Sequence, residues 1–193
     1  MSKGILIFAF DNEKIKYTSM ADWSANRIRN ILNLPCTVVT NQPIKLEHAD
    51  VIVVSDPESN GKRWFDDFGD NVSWKNKNRH DAYTLSPYDE TILLDADYVV
   101  NSTMLLNCFA ISEDIVPMGT AFDVTGLDTY DSLNKFGAHK FPMSWATVVY
   151  FKKSANAQSV FSMIKLIQDN WEFYRHLYKI NKTQYRNDFA LSI

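Results

Sequence analysis

The run Ile5-Leu-Ile-Phe-Ala-Phe10, between Gly4 and the polar pair Asp11-Asn12, constrains this chain more than any other segment. Six apolar residues bounded by turn formers are too few for a buried helix and read as a strand, Gly4–Phe10, covered on both faces. The run is also the longest unbroken apolar stretch among the 193 residues, and spanning a bilayer as a helix takes about 20. Met20, Trp23, Ile28, Ile31 and Leu32 follow at spacings near three and four, which predicts a helix over 20–33. Cys36–Thr40 and Val51–Val54 are short and β-branched and read as two more strands. Strand, helix, strand at this spacing is the pattern of a βαβ unit, so the chain reads as α/β, Rossmann-type, with a mostly parallel central sheet flanked by helices.

Further along, Thr91–Leu94, Ile115–Met118 and Ala146–Phe151 read as strands, and 102–110 as a short helix with Ser102 at its cap. Residues 155–179 place Ala157, Val160, Phe161, Ile164, Ile167, Trp171, Tyr174 and Tyr178 in one register, predicting a single helix of about six turns. Residues 55–81 and 119–144 read as loops. In the first, Trp64, Phe65, Phe68 and Trp74 are expected to pin the loop to the core or to line a site, and Asp66-Asp67 to lie at the surface. No repeat or linker interrupts the chain, so 1–193 reads as one domain.

Composition narrows the function. With 20 Lys+Arg against 23 Asp+Glu the net charge is −3, so a phosphate-bearing partner must be gripped locally, by a patch or a metal. Cys36 and Cys108 could form at most one bridge, and no secretory signal leads the chain. The Asn-x-Ser/Thr triplets at Asn71, Asn101 and Asn181 are about what chance gives, and a cytoplasmic protein without a membrane span is expected. His48, His80, His139 and His176 are isolated, without metal-ligand spacing. The chain ends on the apolar stretch Phe189-Ala-Leu-Ser-Ile193, which reads as a fragment of something longer.

The segment Ile92-Leu-Leu-Asp95-Ala-Asp97 carries the chemistry. In a straight strand positions i and i+2 share a face, which would set two carboxylates side by side. Paired carboxylates repel, and a hard divalent cation such as Mg²⁺ or Mn²⁺ between them and a ligand's phosphates removes that repulsion. In an α/β sheet ligands collect at the carboxyl ends of strands, where this pair falls. The alternative is a turn in which one Asp caps an element and the other is solvated.

Ser86-Pro-Tyr-Asp-Glu-Thr-Ile-Leu-Leu-Asp-Ala-Asp-Tyr-Val-Val100 resembles the Asp-x-Asp segment of GT-A-fold glycosyltransferases that use nucleotide-sugar donors. Lys75-Asn-Lys-Asn-Arg79 is similar to the basic stretch ahead of that motif, Ser144–Phe151 to the strand after the acceptor loop, and Arg186-Asn-Asp188-Phe-Ala-Leu to an Asp-bearing helix start beside the sugar. The resemblance implies a metal-dependent transfer of a sugar, hexosyl or pentosyl, from a nucleotide-diphosphate sugar to an acceptor hydroxyl. It makes Asp97 the principal metal ligand and sets Asp95 at the ribose, the metal or both, with Ala96 between them at the donor. Arg79 would lie near the diphosphate or base, and Ala9, Phe10, Asp11 and Tyr17 would hold the base. Asp188 would act beside the transferred sugar, as acceptor base or sugar ligand. Residues 1–100 would form the nucleotide-binding half and 101–193 the acceptor side; the family's later metal ligand has no match here, so either the chain is truncated before it or the metal is held by fewer protein groups.

The chain is also similar to compact bacteriophage glycosyltransferase-like proteins, some of which modify hydroxylated DNA bases; such a member would act in the host-cell cytoplasm. The resemblance leaves the acceptor open among saccharide, small molecule, protein and modified DNA. Basic contacts to DNA could come from Lys75–Arg79, Lys152-Lys153 and Lys179–Arg186. A sugar-phosphate nucleotidyltransferase is a competing reading, disfavoured because Asp11-Asn-Glu-Lys-Ile-Lys has no glycine for a phosphate loop after the first strand. A nucleotide-sugar-binding domain without activity is a third.

Overall fold

A computed structural model of the chain describes residues 1–55, 62–65, 69–75, 77–182 and 184–193. Six strands form the central sheet: β1 (Lys3–Phe8), β2 (Cys36–Thr40), β3 (Asp50–Val53), β6 (Glu90–Leu94), β7 (Ile115–Met118) and β10 (Trp145–Lys152). Their spatial order is β3-β2-β1-β6-β10-β7. The first four are mutually parallel, while β10 runs antiparallel to both β6 and β7, so one strand in six is reversed. The mostly parallel α/β architecture is therefore the one the sequence implies.

Residue parity explains why the strands read as continuous apolar runs. Ile5, Ile7, Val38, Ile92, Leu94 and Tyr150 face α1 (Tyr17–Leu32), meeting Ala21, Ala25, Ile28 and Leu32. Leu6, Phe8, Val39, Leu93, Val149 and Phe151 face the other way, toward α4 (Ala155–Asp169), α5 (Trp171–Leu177) and α6 (Asn187–Ser192). Gly4 leaves room in β1 for the Tyr88 ring, which a Cβ there would run into and whose hydroxyl is held by Thr37 Oγ1 at 2.7 Å.

Several elements depart from the sequence reading. α1 buries the small residues Ala21, Ser24 and Ala25, which let it approach the sheet closely, and leaves Met20 and Trp23 exposed. Trp23 instead lies beside the Arg27 guanidinium, 5.2 Å from its ring centroid. The helix expected over 155–179 breaks at Asn170, whose backbone leaves helical values and whose side-chain amide donates to Leu166 O at 2.9 Å. Asn competes with the ladder for a carbonyl, and α4 ends there. Residues 103–110 form a 3-10 rather than an α-helix, with Ser102 accepting from Met104 N as its cap. The 55–81 loop contains a hairpin, β4 (Lys62–Phe65) and β5 (Asp70–Ser73), followed by a 3-10 turn at Lys77–Asp81 and by α2 (Ala82–Leu85). Likewise 119–144 holds α3 (Tyr130–Asn134) and the small pair β8 (Lys135–Phe136) and β9 (Phe141–Pro142). The Trp64 and Phe65 side chains, and all of Asp66, Asp67 and Phe68, lie outside the described residues.

Both cysteines are free thiols. Among the described residues, no helix is long and apolar enough to cross a membrane.

Candidate donor-binding cleft

The reversal of β10 builds the site. Because it opposes β6 in the register Val148↔Leu94, its first residues arrive where β1 and β6 end. A cleft of about 420 Å³ opens at this edge. Its floor is Phe8 and Phe10 from the end of β1, Asp95, Ala96 and Asp97 beyond β6, and Trp145, Ala146 and Thr147 from β10. Tyr17 opens α1 on one side, and Trp74, Lys75 and Arg79 form a second wall. The third wall is Lys182, Gln184, Arg186, Asn187 and Asp188, leading into α6.

The Asp-x-Asp segment is not a straight strand. β6 ends at Leu94, and Tyr98 N donates to Asp95 O at 3.1 Å, so the two carboxylates sit on a turn. Both still line the cleft, because the turn stands at the strand's carboxyl end. Asp95 N is tied to Thr147 O at 3.1 Å, fixing the turn against β10.

Arg79 is 4% exposed, and its Nη1 donates to Asp95 Oδ1. Two of its other nitrogens, Nε and Nη2, have no hydrogen-bond partner among the described residues; nor do Trp145 Nε1 and Gln184 Nε2. Buried donors left unpaired are costly, and their concentration on one cleft marks a place that favours a ligand rich in acceptor oxygens. Arg79 is held there by its neighbours. Ala82 is fully buried, and His80 Nδ1 lies 3.1 Å from Gln168 Oε1 on α4. Burial lowers the His80 pKa, favouring the neutral ring in that contact.

Asp188 is deeply engaged. Its Oδ1 accepts from Ala146 N at 2.8 Å, and its Oδ2 accepts from Arg186 Nε at 3.0 Å and Nη2 at 2.5 Å. The carboxylate thus ties α6 to β10 and orients Arg186, whose guanidinium lies 6.0 Å from the Trp145 ring centroid.

Of the residues implicated by the sequence, the cleft brings together Phe10, Tyr17, Arg79, Asp95, Ala96, Asp97 and Asp188. Ala9 and Asp11 do not line it. Ala9 is fully buried with its N–H on Val39 O, and Asp11 accepts from Thr18 N and Oγ1 at 2.9 and 3.1 Å, capping the first turn of α1. Lys182, Gln184 and Asn187 also line the cleft; the sequence marked them only as members of the Lys179–Arg186 stretch and of the Arg186-Asn-Asp188 helix start, without a role of their own.

The chemistry of the donor set fits a hard cation. Two carboxylates on one turn suit Mg²⁺ or Mn²⁺, which take one or two protein carboxylates and complete their shell from phosphates and water. Among the described residues no group of three or more His, Cys, Asp or Glu is placed to hold a metal alone, so ligand oxygens would have to supply the remainder. Across the cleft walls four cationic side chains, Lys75, Arg79, Lys182 and Arg186, face three carboxylates.

No protein-family model matches the chain, and no characterised protein matches it in sequence. Solved structures do share its fold. The galactosyltransferase LgtC in complex with donor and acceptor sugar analogs superposes over 97% of this chain and 69% of its own, at 16% identity and a TM-score of 0.58. An active-site variant of LgtC superposes over 98% and 70%, at 14% identity and a TM-score of 0.61. A CMP-2-keto-3-deoxy-manno-octonic acid synthetase complexed with CTP aligns more loosely, at 10% identity over 93% of this chain and 87% of its own, with a TM-score of 0.49. The resemblance to GT-A glycosyltransferases read from the Asp-x-Asp segment therefore holds at the level of the fold: a mixed α/β domain with a mostly parallel six-stranded sheet.

Proposed function

We propose that the chain binds a nucleotide-diphosphate sugar in this cleft, with a divalent cation, and transfers the sugar to an acceptor hydroxyl. The observation that carries the reading is Arg79: a buried guanidinium with one nitrogen on Asp95 and two without partners, in a cleft where cations outnumber carboxylates. Such a group favours a ligand bearing both negative charge and several acceptor oxygens, and a diphosphate has both. The shared fold of LgtC, a galactosyltransferase crystallised with donor and acceptor sugar analogs, supports the same reading.

The roles follow from position. Phe10 and Tyr17, at the end of β1 and the start of α1, would hold the base, with Ala9 and Asp11 acting through the backbone and the helix cap. Asp95, Ala96 and Asp97 would face the ribose and diphosphate, and Asp95 and Asp97 would hold the cation. When bound, that cation supplies Lewis-acid stabilisation of the leaving diphosphate. As the acceptor oxygen bonds to the anomeric carbon, the bond from that carbon to the diphosphate oxygen would break, charge would grow on the leaving group, and the acceptor's proton would pass to a phosphate oxygen of that group. Arg79, Lys75 and Lys182 are placed to stabilise that charge where it develops. Asp188 has both oxygens engaged, so we assign it to the sugar side as a positioning carboxylate that sets Arg186, rather than as the acceptor's base.

A thermal-shift panel of nucleotide-diphosphate sugars, with and without Mn²⁺, tests the reading. The expected result is a rise in melting temperature for one base, larger with Mn²⁺; no rise with any of them refutes it. The stabilising donor is then offered saccharide, small-molecule, protein and hydroxylated-DNA acceptors, each read by nucleotide release. Pyrophosphate release from a nucleoside triphosphate and a sugar phosphate would identify a nucleotidyltransferase instead.

A further inference from the structure

The turn bearing Asp95 and Asp97 leaves the sheet at Leu94, so the backbone carbonyls that follow have no ladder partner and must find donors elsewhere. Three alternate carbonyls find them on a single helix. Ser24 Oγ, on α1 and 3% exposed, lies 3.3 Å from both Ala96 O and Tyr98 O, sharing its one proton between them. One turn further, Arg27 Nε donates to Val100 O at 2.8 Å and its Nη2 to Asn101 Oδ1 at 2.7 Å. The carbonyls of the segment thus face α1 while its carboxylates line the cleft. The same helix is anchored at its start by Asp11, through Thr18, beside Tyr17 at the other end of the cleft.

We propose that Ser24 and Arg27 are positioning residues: an i, i+3 pair that braces the acidic turn from behind and sets the spacing of Asp95 and Asp97 for a shared cation. Two carboxylates brought together without their counter-ion repel and would splay apart. Thr147 O and the Arg79 guanidinium hold Asp95 at its N–H and its carboxylate, and the backbone beyond it could still swing outward. The two α1 donors close that motion by fixing the carbonyls on either side of Asp97, at positions 96, 98 and 100. Arg27 also lies against the exposed Trp23 ring, which limits the orientations its guanidinium can take. Groups that orient metal ligands from outside the shell typically matter by about 10- to 100-fold in metal affinity. The proposal rests on the donor-site reading above, and its test separates the two.

The dissociation constants of UDP, GDP and ADP are measured by calorimetry with Mn²⁺ and with EDTA, and the ratio of the two gives the metal-dependent gain. The expected result is that Ser24→Ala and Arg27→Met each lose roughly 10-fold of that gain, while affinity in EDTA stays near that of the parent protein. Arg27→Lys, which can still donate to Val100 O, recovers part of it. Ile28→Val, fully buried on the same helix, serves as the structural control: it lowers the melting temperature and leaves the gain intact. A gain unchanged in both Ser24→Ala and Arg27→Met overturns the brace while leaving the donor site standing. Equal loss in Ile28→Val also overturns it, since general loosening of α1 would then explain the effect. If the parent protein binds none of the three nucleotides with Mn²⁺, the donor-site reading fails and the brace falls with it.

Discussion

Replacing Asp188 by Asn separates a structural carboxylate from a chemical one. The side chain is 12% exposed and accepts three N–H donors, one from Ala146 and two from Arg186. Asn is nearly isosteric and can keep one acceptor on Ala146 N. That bond falls from charge-assisted to neutral, losing about half its strength, or about 1 kcal/mol. The amide NH₂ is then turned toward the Arg186 guanidinium, donor against donor. Arg186 is 40% exposed and can be rehydrated, so this loss is held to about 1–2 kcal/mol. Together the substitution costs about 2–3 kcal/mol, which for a chain of this size lowers the melting temperature by roughly 4–12 °C. Asp188→Ala costs about 1–3 kcal/mol more, because it leaves the buried Ala146 N–H with no acceptor at all. Differential scanning calorimetry of the three proteins reads the effect directly. An Asn variant that melts within about 1 °C of the parent, yet loses all transfer activity, would refute the reasoning and return Asp188 to the role of acceptor base.

Three other substitutions probe β1, the β5 contact of Glu13 and the cleft. Gly4→Ala places a methyl against the Tyr88 ring and should cost about 1–3 kcal/mol, read as a lower urea midpoint; an unchanged midpoint would show that the ring moves aside freely. The Glu13 carboxyl is held down to about 2, first by the Ser73 hydroxyl at 2.6 Å, then by backbone donors. A carboxyl whose folded pKa lies below its ordinary 4.5 adds stability that is present above pH 4.5 and is lost as pH falls toward 2. Glu13→Gln should flatten that part of the acid-unfolding curve, and ¹³C NMR of the carboxyl should show a midpoint near 2; titration near 4.5 would contradict it. Arg79→Met should weaken nucleoside diphosphate binding by about 10-fold or more, the loss of a charge-assisted bond, whereas unchanged affinity would remove Arg79 from the site.

The sheet was legible because its inner strands are buried on both faces and its partly exposed edge strands are still short apolar, β-branched runs. Cys36–Thr40 and Ile115–Met118 are found with the bounds that their β-branched and apolar runs suggest, and the Asp95–Asp97 pair stands at a strand's carboxyl end as the pattern implies. Elements built from polar residues were less legible. The hairpin of β4 and β5 mixes Lys, Arg, Asp and Asn into its strands and carries no clean alternation. The outward turn of Trp23 reflects the small residues beneath α1, since close approach of helix to sheet decides which stripe is buried. The contacts that define the cleft were not legible at all from spacing. Arg79 meets Asp95 across sixteen residues and Asp188 meets Ala146 across forty-two. The first pairing needs the 3-10 turn of Lys77–Asp81 folded back over the end of β6, and the second needs β10 reversed beside β6 with α6 laid across it.

In the proposed function the cleft holds a nucleoside diphosphate through a cation on the acidic turn. Calorimetric titration of the parent protein and Asp97→Ala, with and without Mn²⁺, tests it most directly, using the nucleoside diphosphate whose sugar stabilises the protein most. The predicted result is an affinity that rises by about 10-fold or more with Mn²⁺ in the parent and not at all in Asp97→Ala, with the metal-free affinity of the two alike. Full metal dependence in Asp97→Ala, or no binding by the parent with the metal present, would contradict it.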